Sequence, residues 1–338
     1  MLFTGHSQIS GVGSYFPEQI VTSQELLEEL KTETRFGIGH DWIDRKVGIN
    51  ERRYAPDHAK PSELAIIAAH QAIEDAGISP KDISAVIYCG IVGDQIEPST
   101  AHNIQARIGA HNAMCRDVQN ACHGFCDGMQ DADMMIGSGA EHVLVVSTEL
   151  TRVSRLAFPR LQRIKKKDNF MSMIGGLTVG DGAGAMILSR KETTEKGIQK
   201  INFHSEGKYA DLCKYGYDIV NGKYEGCMSM AKISGVMIRL NGRLLKRTLT
   251  ALNWTKGSID HLIMHQVGQR TFDGMLKLTG VEKNKAPKTL DKFGNLTTAT
   301  IPANYSLLKS SGSLKPKDKC LIVGAGSGMV ISHMGVVV

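Results

Sequence analysis

Three features of the chain predict an α/β protein built from two similar halves. Continuous apolar runs at 85–92 and 141–149 read as strands buried on both faces, which requires helices on either side of a sheet. Stretches with apolar residues at helical spacing alternate with these runs. From about residue 190 the strand–helix–strand rhythm starts again, which divides the chain into an N-terminal half, 1–190, and a C-terminal half, 191–338. A chain of 338 residues, 42% hydrophobic and 22% charged, is long enough for two packed domains of ordinary size.

In chain order, 7–13 is a short strand, and Ser23 with Glu25 opens a helix carrying Leu26, Leu27 and Leu30. Phe16 stands where a dinucleotide fingerprint would need its third Gly after Gly11 and Gly13, so that site is excluded. In 41–53, Trp42 lies beside several cations including Lys46, either a grip for an adenine and its phosphates or a solvated surface. A helix runs from Pro61 to a stop at Gly77, with Ala65, Ile66, Ala69 and Ile73 on one face. After the strand at 85–92, a loop leads to a helix for which Ser99 is the expected N-cap, with Glu97 just outside it. A short strand at 113–118 is followed by Cys122 and a helix carrying Phe125, Met129, Ala132, Met135 and Ile136.

Beyond the strand at 141–149, Arg152, Arg155, Arg160, Arg163, Lys165, Lys166 and Lys167 form the most basic stretch, a solvated face or a dock for an acidic carrier protein. Gly180–Ala185 is a tight turn feeding a central strand at 186–188. In the second half a long helix at 231–253 carries Ile233, Val236, Met237, Leu240, Leu244, Leu245 and Leu249 as its stripe. A strand at 259–264 then ends at His265, and the loop 291–295 ends at Asn295 before a helix from Thr298. Paired strands across the turn 324–328 close the chain.

The net charge of +6, from 40 basic and 34 acidic residues, does not imply nucleic acid, although anionic ligands are compatible with it. Seven Cys residues, an odd number without a basic-then-apolar leader, suggest free thiols and a cytoplasmic protein. No apolar run approaches the roughly 18 residues of a membrane span. Cys122, His123 and Cys126 lack a second ligand pair at zinc spacing, so no metal site is expected.

Cys122 is the candidate nucleophile, because a thiol at the first turn of a helix faces free N–H groups and the positive end of the dipole, which favour thiolate. His265 and Asn295 likewise stand at a strand end and on a Gly turn. Ala121-Cys122-His123-Gly124, His265-Gln266 and Gly294-Asn295 together resemble the nucleophile, His and Asn motifs of the ketoacyl synthase III branch of the thiolase superfamily. The Gly-rich turns at 180–185 and 326–328 are similar to that family's, and the resemblance spans essentially the whole chain. It implies a five-layer αβαβα fold, a homodimer, coenzyme A thioesters as substrates, no cofactor, and an oxyanion hole from the backbone N–H groups of Cys122 and Ser327. It also casts Trp42 and Lys46 as holding the coenzyme A adenine and phosphate.

Two departures from the fatty-acid-initiating synthases stand out. Val267-Gly268 follows His265-Gln266 where those enzymes have an Asn two places after the Gln, and Glu97 replaces a Phe that reaches across the dimer. Ile96-Glu97-Pro98-Ser99-Thr100, His265-Gln266-Val267 and Gly326-Ser327-Gly328 instead resemble the head-to-head acyl-CoA thiolases of long-chain olefin formation. That resemblance implies an acyl-Cys122 intermediate and non-decarboxylative Claisen condensation of two acyl-CoAs to a 2-alkyl-3-oxoacyl product. Glu97 of the other subunit would remove the α-proton, and His265 and Asn295 would hold the enolate oxygen. Three alternatives share these residues: decarboxylative condensation with malonyl-CoA or malonyl carrier protein, acyl transfer to oxygen or nitrogen, and a silent acyl-binding subunit.

Overall fold

Strands with no polar face need cover on both sides, and this chain supplies it twice. A computed structural model describes residues 1–151, 158–218 and 223–338. The strands are, in chain order, β1 (Leu2–Thr4), β2 (Ser7–Tyr15), β3 (Gln19–Thr22), β4 (Glu51–Tyr54), β5 (Ile83–Tyr88), β6 (Met114–Asp117), β7 (His142–Glu149), β8 (Gly182–Arg190), β9 (Gly197–Ser205), β10 (Cys213–Asp218), β11 (Lys223–Met228), β12 (His261–Met264), β13 (Lys319–Gly326) and β14 (Val330–Val337). One sheet has the order β2-β8-β7-β5-β6 and the other β1-β9-β14-β13-β12; β3-β4 and β10-β11 are separate antiparallel pairs. In each large sheet, parallel pairing (β6-β5-β7 and β12-β13) gives way to antiparallel pairing (β7-β8-β2 and β13-β14-β9). β1, from the start of the chain, joins the second sheet through β9.

The helices Gly124–Gly137 and Thr300–Ser310 lie between the two sheets. Phe125, Met129 and Ile136 from one, and Ile301 and Tyr305 from the other, share a core with Ile87, Val143 and Val145 of the first sheet and Ile263, Ile322 and Met334 of the second. Ala65, Ala69 and Ile104 of the helices Pro61–Ala76 and Thr100–Ile108 cover the outer face of the first sheet against Val86, Leu144 and Val146. Leu245 and Leu249 of the helix Met230–Leu252, with Phe272 and Met275 of the helix Gln269–Thr279, cover the second against Leu262, Met264 and Leu321. The result is five layers, helix–sheet–helix–sheet–helix. Each fully buried aliphatic side chain adds about 1.5–3 kcal/mol by leaving water, so this double cover is the main stabilising term.

Local chemistry departs from the sequence reading at several places, the strand β8 beginning already at Gly182 among them. The first helix, Ser23–Glu29, is capped by Thr22, whose hydroxyl and backbone exchange bonds with Glu25, and not by Ser23. Ser99 occupies the N-cap position of the helix Thr100–Ile108, but its hydroxyl faces His102 at 2.6 Å. Asp117, at the end of β6, caps that helix instead, accepting from the N–H groups of Thr100 (2.8 Å) and Ala101 (2.9 Å). The strand expected over 85–92 stops at Tyr88, whose hydroxyl donates to the carbonyl of Val92 at 2.6 Å and folds 89–92 back over the strand end.

Candidate active site

Each candidate residue is fixed by backbone geometry. Cys122 follows Ala121, which sits at φ +47°, a left-handed conformation that side chains other than Gly seldom adopt. The turn is closed by N–H bonds from His123 to Asn120 and from Gly124 to Ala121, each 3.1 Å, and the helix begins at Gly124. His123 belongs to the core: its Nδ1 meets Asp127 at 3.0 Å and its Nε2 meets Ser332 at 2.8 Å. Among the described residues no group of three His, Cys, Asp or Glu side chains could hold a metal ion.

His265 lies just past β12, tied by its N–H to the carbonyl of Val323 at 3.0 Å. The next residue, Gln266, is buried and holds the approach to Asn295. Its amide donates to the carbonyl of Pro287 at 2.7 Å and accepts from the N–H groups of Thr289 and Leu290 at 3.1 Å. Sequence reading noted the His-Gln pair but not this clamp. Gly294 has φ +68°, and a Cβ there would lie 2.7 Å from the carbonyl of Thr178, so only glycine lets the loop approach the turn at 178–180. Two backbone bonds, Asn295 to Thr178 (2.8 Å) and Gly180 to Asn295 (3.2 Å), then fix Asn295. Its Oδ1 accepts from the Thr297 N–H at 2.9 Å, which leaves the NH₂ group for the cavity.

The turn carrying Ser327 approaches from β13. A Cβ on Gly326 would lie 2.9 Å from the His123 nitrogen and 2.8 Å from its Cβ, so this glycine lets the turn settle on the Cys122 segment. Cys122, His265, Asn295 and Ser327 consequently line one cleft, walled by Met228, Met230, Ile233, Met237, Val267 and Met329. A second cavity shares Cys122, Cys213, Met228, Asn295 and Ser327 with the first and continues to Ile91, Val92, Glu149, Leu150 and Val179. Two largely apolar spaces thus meet at Cys122.

Electrostatics correct the expected thiolate. Burial pushes the Cys122 thiol up, with the nearby Glu149 and Cys213 adding to the rise; a bond from its own backbone N–H opposes them and loses. Desolvation outweighs the helix end, and the resting nucleophile is a thiol. Burial, with His123 nearby, lowers His265 to about 4, so its imidazole is neutral at pH 7. Glu149, unmarked in the sequence beyond ending a strand, is raised to about 7, chiefly by burial.

The remaining predicted residues lie away from Cys122. Glu97 is exposed and lines neither cavity of its own chain. Trp42 is half-buried and Lys46 exposed, one turn apart on the helix Trp42–Val47. Trp42 packs on the same apolar cluster as Met230, which reaches the cleft, and as Leu161 and Ile164 of the basic segment. Of that segment, Arg160, Arg163, Lys165, Lys166 and Lys167 are exposed, while Arg152 and Arg155 lie outside the described residues.

A thiol facing an imidazole and a carboxamide beneath a backbone turn suits acyl transfer, and the fold that holds it is the thiolase fold. The family profiles described as 3-Oxoacyl-[acyl-carrier-protein (ACP)] synthase III and as its C terminal match residues 116–207 and 249–337. The beta-ketoacyl-[acyl-carrier-protein] synthase III of Methylococcus capsulatus is 31% identical over 329 residues, 96% of each chain. That of Bacillus pumilus is 30% identical over 326 residues, 95% of each. Among solved structures, cerulenin-bound OleA of Xanthomonas campestris superposes with a TM-score of 0.91 at 28% identity, covering 100% of this chain and 98% of that one. OleA of the same organism with bound lauric acid and lauroyl-CoA superposes equally well, 0.91 at 27% identity, over 99% and 100%. The chain belongs to the 3-oxoacyl-[acyl-carrier-protein] synthase III family of the thiolase superfamily. It is an acyltransferase of the condensing type, and its fold is shared with OleA.

Proposed function

We propose that the protein joins two acyl-CoA molecules by non-decarboxylative Claisen condensation. The observation that carries this reading is the convergence of two apolar cavities on one thiol, because two alkyl chains must lie near Cys122 when the carbon–carbon bond forms. The N-terminal half, 1–190, contributes Cys122, and the C-terminal half, 191–338, contributes His265, Asn295 and Ser327.

Cys122 attacks the first thioester, and the backbone N–H groups of Cys122 and Ser327 stabilise the tetrahedral oxyanion. Coenzyme A leaves and the acyl chain stays on the sulfur. A second acyl-CoA enters with its thioester oxygen toward His265 and Asn295. A neutral imidazole still carries one N–H, and Asn295 keeps its NH₂ free, so both act as donors to the enolate oxygen. The α-proton needs a base, which Glu97 of a second subunit supplies. The α-carbon then attacks acyl-Cys122, giving the 2-alkyl-3-oxoacyl thioester, or its acid after hydrolysis.

Support for a homodimer comes from exposed apolar side chains of the N-terminal half. Ile96 is fully exposed, Met114 is 61% exposed, and β6 is an edge strand of the first sheet. Exposed apolar side chains beside an open strand edge suit pairing with a second copy. Outside the cleft, Trp42, Lys46 and the basic residues 160–167 suit the anionic head of coenzyme A, or an acidic carrier protein.

Mixed dimers test the trans arrangement. Glu97→Gln and Cys122→Ala homodimers should each lack condensation, whereas heterodimers of the two regain one working site, up to about half the wild-type activity per dimer. If Glu97→Gln homodimers retain full condensation, or if the heterodimers stay inactive, the assignment of Glu97 as the base supplied in trans is wrong.

A further inference from the structure

The Cys122 thiol is protonated at rest, so acylation needs a place for its proton. Within the two cavities the acid–base groups are His265, Cys213, Tyr215 and Glu149. His265, held near 4, binds a proton weakly, and burial holds Cys213 up at about 11. Glu97 lies outside both linings. Glu149 is 3% exposed, at the inner end of β7, and lines the same cavity wall as Cys122 and Asn295. Its Oε1 accepts from the Ile91 N–H at 3.0 Å and from the Thr298 hydroxyl at 2.6 Å, and Thr298 is held in turn by Ser147 at 2.5 Å. Neither bond uses Oε2, and the Thr297 hydroxyl is also within reach of the carboxyl. This carboxyl is anchored, dry and open to the cavity.

We propose that Glu149 is the proton carrier of the acylation half-reaction, a catalytic residue that takes the Cys122 proton and returns it to the leaving thiolate. The carboxylate removes the thiol proton, directly or through one water in the cavity, as the sulfur attacks the thioester carbonyl. The sulfur–carbon bond forms, and the carbonyl electron pair moves to oxygen in the backbone hole. When the intermediate collapses, the carbon–sulfur bond to coenzyme A breaks, and the coenzyme A thiolate takes the proton from the Glu149 carboxyl. Glu149 ends as the carboxylate, coenzyme A leaves as the thiol, and no further reactant is needed. A group titrating near 7 suits both directions of transfer.

The groups facing Glu149 from neighbouring elements are the thiols of Cys122 and Cys213, the Thr297 and Thr298 hydroxyls, the Tyr88 and Tyr215 phenols, and the Asp181 carboxylate. Asp181 is itself tied to the N–H groups of Ala55 and Thr151. Ionised Asp181 repels charge on Glu149, and ionised Glu149 repels the Cys122 thiolate, so the proton passes between two groups that resist being charged together.

The proposal rests on Cys122 as acyl acceptor and is tested on acylation alone, by rapid quench and mass spectrometry of the Cys122 peptide after mixing with lauroyl-CoA across pH. Wild-type acylation should rise with pH and level off above about 7, the Glu149 value. Glu149→Gln should acylate about 10²–10⁴-fold more slowly and lose the break, while Glu149→Asp keeps a break at a moved pH. A wild-type profile without a break overturns the proposal with no variant needed. So does a folded Glu149→Gln protein that acylates within about threefold of wild type. In either case acyl-Cys122 still forms, and the condensation reading stands; failure of wild type to acylate at all is the outcome of this experiment that would remove that reading.

Discussion

Replacing Glu149 by Gln changes how stability depends on pH, by an amount the structure fixes. Burial raises the carboxyl from 4.5 to about 7, so the fold prefers the protonated form. Between these values the native protein keeps a proton that the unfolded chain has released, and stability falls as pH rises through the window. At about 1.4 kcal/mol per pH unit the full loss is about 3 kcal/mol, of which about 2.5 kcal/mol falls between about pH 5 and about pH 8. Gln cannot ionise yet keeps an oxygen for the Ile91 N–H and Thr298. Whatever its own packing cost, the difference between the two proteins should move by about 2.5 kcal/mol in favour of Gln from about pH 5 to about pH 8. Urea unfolding of both at the two pH values and one protein concentration measures this. Curves that stay parallel, with the difference changing by less than about 0.5 kcal/mol, would refute a buried carboxyl titrating near neutrality.

Three further outcomes are expected. Gly326→Ala should push the Ser327 turn off the Cys122 segment, costing about 1–3 kcal/mol in denaturant unfolding and slowing acylation about 10²-fold in a thiol-release assay. Asp117→Ala should strip the cap from the helix Thr100–Ile108, at a cost of about 1–3 kcal/mol, and speed hydrogen exchange there; because the loop at 93–99 leads into that helix, condensation should fall more than acylation. His265→Ala should leave acyl-Cys122 forming and abolish condensation in a product assay. Starting from preformed acyl-enzyme, so that the Glu149 step is bypassed, the condensation profile should show no step near the ordinary histidine value, because His265 is held near 4 and stays neutral above it.

The sequence made legible the groups whose position follows from local chain geometry. Cys122, His265, Asn295 and Ser327 sit at strand ends or Gly turns, and the structure brings all four to one cleft. Features set by distant partners were not legible. Asp117 caps a helix seventeen positions before it because β6 lies alongside, so the nearer Ser99 looked the better candidate. The apolar run 85–92 hides a change of role: up to Tyr88 it is a strand, while Ile91 and Val92 form cavity wall, and apolarity is the same in both. The thiolate expectation weighed a helix end without the desolvation that only the folded cavity imposes. Glu149 reads as a polar strand terminus until Ile91 and Thr298 are seen closing over it.

Supplying the purified protein with a single long-chain acyl-CoA, without any malonyl donor, separates the two kinds of condensation. Mass spectrometry should find acyl-Cys122 and a 2-alkyl-3-oxoacyl product, or the ketone it yields on decarboxylation, with no malonyl-CoA present. Accumulation of acyl-Cys122 with no β-keto product, relieved when malonyl-CoA or malonyl carrier protein is added, would contradict the account and assign the protein to decarboxylative condensation.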